Sequence, residues 1–84
     1  IAFIGASERP NAPATRGLRH CLRLGFDGTL LAVNPKHERL FGVRCLPDAR
    51  QLPESLDLAV IALPAEGTLA AVEACIDRGV RAAI

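Results

Sequence analysis

Apolar residues in this chain cluster in short unbroken runs, each ended by glycine or proline. Ile1-Ala2-Phe3-Ile4 stops at Gly5, Thr29-Leu30-Leu31-Ala32-Val33 stops at Asn34-Pro35, and Leu58-Ala59-Val60-Ile61-Ala62-Leu63 stops at Pro64. Such runs suit strands covered on both faces, as in parallel sheets. Between them the spacing turns helical. Pro13 suits a first helical turn, where its missing N–H costs nothing. Ala14, Leu18, Cys21 and Leu22 then recur on one face, with Arg16, Arg19, His20 and Arg23 mainly on the other. Gly25 is placed to end this helix. Gly17 sits inside it at a cost of up to about 1 kcal/mol, which close packing of helix on strand would justify. A second helix is predicted from Ala65 or Thr68 to Arg78, with Leu69, Ala71, Val72, Cys75 and Ile76 as its apolar face and Gly79 as its cap.

The stretch 37–56 is less regular. Gly42 marks a turn, Val43-Arg44-Cys45-Leu46 an extended piece, and residues 47–52 one or two helical turns ended by Pro53. Residues 80–84 open a fourth strand. Alternation of strand and helix at this spacing predicts an α/β fold: a Rossmann-like parallel sheet with right-handed βαβ crossovers. The 84 residues make one domain, with no linker or internal repeat. Both ends fall inside apolar runs, so residues 1–84 read as a domain cut from a longer chain.

Composition narrows the function. Ten basic residues stand against nine acidic ones, so no broad surface attracts a polyanion or an anionic membrane. Trp and Tyr are absent, which removes the usual stacking platform for nucleic acid. No apolar run is long enough to span a bilayer. Cys21, Cys45 and Cys75 lack metal-ligand spacing and read as reduced thiols of a cytoplasmic protein. No metal site and no pairing of carboxylates for acid–base chemistry is visible.

An open parallel sheet binds ligands beyond the carboxyl ends of its strands. Three loops reach that edge. The first, residues 5–12, leads into a helix N-terminus, which attracts phosphate. There Gly5 permits a tight turn, Ser7 adds a hydroxyl and Arg9 a mobile cation. The second loop carries Asn34, Pro35 and Lys36, and the third begins at Pro64. A dinucleotide site would need G-x-G-x-x-G and an acidic residue after the second strand. The chain has Gly5-Ala6-Ser7-Glu8-Arg9-Pro10 and Asn34-Pro35-Lys36 instead, which disfavours an NAD(P)-dependent oxidoreductase. His37 neighbours Lys36 and reads mainly as a surface residue, as does His20. The arginine stripe is either a solvated face or a docking face for another domain.

Ile4-Gly5-Ala6-Ser7 with Arg9-Pro10, then Val33-Asn34-Pro35-Lys36, Gly42, Leu46-Pro47, Leu52-Pro53-Glu54 and the run from Asp57 to Ala65 together resemble the CoA-binding domain of NDP-forming acyl-CoA synthetases. That family includes ADP-forming acetyl-CoA synthetase and is related to the succinyl-CoA synthetase alpha subunit; a similar domain opens certain bacterial protein lysine acetyltransferases. The resemblance spans essentially the whole chain. It implies a domain that holds coenzyme A while other domains do the chemistry, so no catalytic residue is expected here. By resemblance, Gly5, Ala6, Ser7 and Arg9 cradle CoA phosphates, Lys36 after Asn34-Pro35 meets the phosphorylated ADP part, and Pro64 lines the groove near the adenine or pantetheine arm. Ligase-CoA and ATP-grasp domains, or an acetyltransferase domain, would be partners in the same chain or complex, bringing ATP or ADP and Mg; oligomeric state stays open. A stand-alone CoA-binding regulatory module is the alternative. Two positions depart from the family: Ala14 replaces a usual glycine, and Thr15 a frequent aromatic.

Overall fold

The computed structural model describes residues 1–84. Strand β1 (Ala2–Ile4) is followed by helix α1 (Pro13–Arg23) and β2 (Leu31–Val33). Next come β3 (Arg39–Leu40), β4 (Val43–Leu46) and a 3₁₀ turn at Ala49–Gln51. Strand β5 (Leu58–Ile61), helix α2 (Ala65–Asp77) and β6 (Ala82–Ala83) complete the chain. The strands form one sheet in the order β3-β4-β2-β1-β5-β6. All pairings are parallel except β3 with β4.

That antiparallel edge departs from the wholly parallel sheet expected. Phe41 (φ 52°) and Gly42 (φ 81°) both adopt positive φ between Leu40 and Val43, which pair with each other. Positive φ at both central residues is the signature of a two-residue hairpin turn whose twist matches that of the strands. Gly42 announces the turn in the sequence. The two-residue strand before it is too short to leave a periodic pattern.

The sheet sorts each apolar run onto two faces. Ala2 and Ile4 join Leu31, Val33, Leu46 and Ala59 beneath α2 and the 3₁₀ turn. Phe3 and Ala32 face α1, with Ala14, Leu18, Val43 and Cys45. Gly17 earns its place there: a Cβ on it would lie 3.0 Å from the Phe3 ring. Helix α1 ends as expected, with Gly25 at φ 73° and its N–H bonded to Leu22 O. Gly79, at φ 74°, closes α2 in the same way.

Two helix faces differ from expectation. In α1 the third buried residue is polar, Thr15, while Cys21 is half-buried and Leu22 half-exposed. In α2 the buried residues are Ala71, Ala74 and Cys75, while Leu69 and Ile76 are 68% and 69% exposed. The helix packs through its small side chains, which let it lie close to the sheet. In a helix rich in apolar residues all round, spacing alone does not select the buried side. No helix is long and apolar enough to cross a membrane.

Candidate functional site at the carboxyl edge

The chain leaves β1 for α1 on one face of the sheet and leaves β5 for α2 on the other. Neighbouring strands whose connections diverge this way leave a crevice at their carboxyl ends. A groove of about 480 Å³ opens at this edge. Seven of the eight residues predicted to bind ligand line it: Gly5, Ala6, Ser7, Arg9, Asn34, Pro35 and Lys36. Pro64 does not. It is the exposed N-cap residue immediately before α2, where its carbonyl accepts the Gly67 N–H at 2.9 Å. Its neighbour Leu63 takes the position in the groove wall.

Gly5 is fixed by two constraints. Its φ is 98°, and a Cβ would meet Ala62 O at 2.1 Å. The end of β1 therefore passes directly against the end of β5, with the Ala62 N–H donating to Ile4 O at 2.9 Å. Only glycine fits so close a backbone approach in this conformation.

The first loop is held from below. The Ser7 N–H donates to Thr15 Oγ1 at 2.8 Å, and the Thr15 hydroxyl donates to Ser7 O at 2.9 Å. The Arg9 N–H donates to Ser7 Oγ at 3.2 Å. Asn34 joins the first loop to the second. Its Nδ2 donates to Ala6 O at 3.0 Å, and its Oδ1 accepts the Lys36 N–H at 2.8 Å. With amide nitrogen and oxygen both engaged, Asn34 shapes the groove and sets where Lys36 begins.

The electrostatics favour an anion. Neither Arg9 nor Lys36 has a carboxylate within 4.0 Å, so both charges are available to a ligand. His37 also lines the groove, and its Nε2 lies 3.9 Å from Glu8 Oε2 across the mouth. Glu8 is largely exposed, and such a long, solvated pair contributes little. A second recess of about 300 Å³, with Asp48 and Arg50 among its mostly apolar lining residues, adjoins the groove between the 3₁₀ turn and α2. The two share Val33, Pro35 and Leu63 in their walls. A larger cleft of about 570 Å³ lies between α1 and β5, on the sheet face and away from these loops.

Three residues at this edge lie outside the sequence-based expectations: Thr15, which stands out there only as a family departure, Leu63 and Glu8. A signal for Thr15 was present. Ala12 at the N-cap has no capping side chain, so a hydroxyl three residues on is free to reach back into the preceding loop.

A Rossmann-type sheet whose switch point carries a glycine turn and unpaired cations defines a class: α/β domains that hold phosphate-bearing nucleotides at the strand ends. The family described as CoA binding domain matches over residues 1–84. The chain belongs to that family. It is 38% identical over 84 residues to acetate–CoA ligase [ADP-forming] I of Archaeoglobus fulgidus, covering 12% of that protein. It is 33% identical over the same length to trans-feruloyl-CoA synthase FCS1 of an unknown prokaryotic organism, again covering 12%. Among solved structures, dinucleotide forming acetyl-coenzyme A synthetase 1 of Ca. Korarchaeum cryptofilum, in complex with phosphate and ADP, superposes with a TM-score of 0.90 and 34% identity. That match covers 98% of this chain and 18% of the other. The chain thus spans about an eighth of the length of the curated relatives it matches.

Proposed function

We propose that the groove holds coenzyme A by its phosphates and that the chain serves as the CoA-binding domain of an ADP-forming acyl-CoA synthetase. One observation carries this reading: the fold gathers Gly5, Ser7, Arg9 and Lys36 from two loops into one groove at the switch point. CoA carries a pyrophosphate and a ribose 3′-phosphate, so several cations and a hydroxyl suit it. Lys36 stands where a dinucleotide enzyme would place an acidic residue for ribose hydroxyls, and that substitution suits a phosphate. The adjoining, mostly apolar recess takes an uncharged part of the molecule.

The relatives' names support a ligase rather than an acetyltransferase as the parent. Such a ligase converts acyl-CoA, phosphate and NDP into acid, CoA and NTP, through an acyl phosphate and a phosphohistidine on other domains. In this reading the domain contributes binding and orientation. ATP-grasp and ligase-CoA domains bring the nucleotide and Mg. The three free thiols fit a reducing, cytoplasmic setting.

Titration calorimetry of the chain with CoA, dephospho-CoA and NAD tests the proposal. CoA is expected to bind most tightly. Tighter binding of NAD than of CoA would overturn it.

A further inference from the structure

Thr15 is the single buried polar side chain of the domain, 0% exposed. Its hydroxyl spends both its proton and a lone pair on one residue, donating to Ser7 O at 2.9 Å and accepting the Ser7 N–H at 2.8 Å. This pair of hydrogen bonds ties the third residue of α1 to the middle of the first loop, eight positions earlier. It satisfies the buried hydroxyl, and it also decides what Ser7 has to offer. The Ser7 amide is taken. Its Oγ already accepts the Arg9 N–H at 3.2 Å. A hydroxyl has one proton and two lone pairs, so Ser7 enters the groove as a hydroxyl donor.

We infer that Thr15 is a positioning residue of the anion groove: it holds Ser7 so that the Ser7 hydroxyl, rather than its amide, donates to a phosphate oxygen of the ligand. Thr15 itself is absent from the groove's lining. The inference rests on the reading of the groove as a CoA phosphate site. It adds that binding depends on a buried side chain acting through Ser7. Phosphate loops gain from donors fixed before the ligand arrives, since ordering them on binding subtracts from affinity.

The test combines calorimetry with CoA and amide hydrogen exchange on the 84-residue chain and its variants Thr15→Val, Thr15→Ser, Ser7→Ala and Thr15→Val/Ser7→Ala. Thr15→Val keeps the shape and removes the hydroxyl. It is expected to raise the Kd for CoA by about tenfold, the scale of one lost hydrogen bond, while Thr15→Ser stays within about twofold of the parent. Because Thr15 acts through Ser7, the double variant binds no more weakly than the weaker single one. An unchanged Kd in Thr15→Val, or fully additive losses, overturns the Thr15 inference and leaves the CoA reading standing. Failure of the parent chain to bind CoA overturns both. The unliganded parent gives a readout that does not depend on any variant folding: its Ser7 amide is protected from exchange, and an unprotected Ser7 amide overturns the clamp.

Discussion

Replacing Gly5 with alanine is expected to remove a large share of the domain's stability. The new Cβ would sit 2.1 Å from Ala62 O, roughly 1.4 Å inside the near edge of ordinary van der Waals contact. The obstacle is backbone, so no rotamer change relieves it. The ends of β1 and β5 must separate, and the Ala62 N–H to Ile4 O bond of 2.9 Å lies at that point. Left-handed backbone costs a non-glycine residue about 1–2 kcal/mol. Overpacking adds about 1–3 kcal/mol, and a weakened hydrogen bond about 1 kcal/mol. Together these predict a loss of about 3–6 kcal/mol, against about 4–13 kcal/mol for a domain of this length. Gly79→Ala provides the control. Gly79 has φ 74° with nothing within 4 Å of the added Cβ, so only the conformational cost of about 1–2 kcal/mol applies. Urea unfolding followed by far-UV circular dichroism measures both, since the chain has no Trp or Tyr to report by fluorescence. Equal losses in the two variants would refute the close approach of β1 to β5.

Three further outcomes follow from the same geometry. Lys36→Ala should weaken CoA by about tenfold, as expected for losing a charge-assisted contact, and dephospho-CoA much less if Lys36 meets the 3′-phosphate; equal losses in calorimetry would move it to the pyrophosphate. Asn34→Asp keeps an acceptor for the Lys36 N–H but sets a carboxylate against Ala6 O in place of a donor, so stability should fall by about 1–3 kcal/mol in urea unfolding, with weaker CoA binding; parent-like behaviour in both would refute the bridging role. Burial raises the Cys45 and Cys75 thiols above the ordinary 9.0. The folded state then holds protons that the unfolded state releases, so the contribution of these two thiols is fully present below the unfolded value of 9.0 and is lost as pH rises above it. Urea midpoints should show this decline, and it should shrink in a Cys45→Ala/Cys75→Ala variant compared with its own value at neutral pH.

The parts legible in the sequence were those with local causes. Unbroken apolar runs located β1, β2 and β5, and helical spacing between a proline and a glycine bounded α1. Seven groove residues were legible because strand ends in a parallel sheet share one edge, wherever they lie in sequence. The parts that were missed depend on contacts between distant segments. The two-residue β3 has no pattern of its own and exists through pairing with β4. Leu69 and Ile76 fit a core face by spacing, yet α2 turns its small residues Ala71, Ala74 and Cys75 inward and leaves those two exposed. Pro64 fell outside the groove by one position, since the chain turns into α2 at that residue. Gly5 reads from the sequence as a tight turn; the approach of Ala62, 57 positions later in sequence order, adds a demand that only the folded sheet reveals. Thr15 is polar on an otherwise apolar face, and its purpose appears only when the first loop folds back over it.

The central claim is that coenzyme A occupies the groove between the loops after β1 and β2. Backbone amide shifts in a ¹H–¹⁵N NMR titration with CoA test it most directly. The largest changes are expected at Gly5, Ala6, Ser7 and Arg9 and at Lys36 and His37, with smaller ones along the recess at Ala49 and Gly67. Shifts centred instead on the cleft between α1 and β5, around Gly17, Cys21 and Val60, would contradict it.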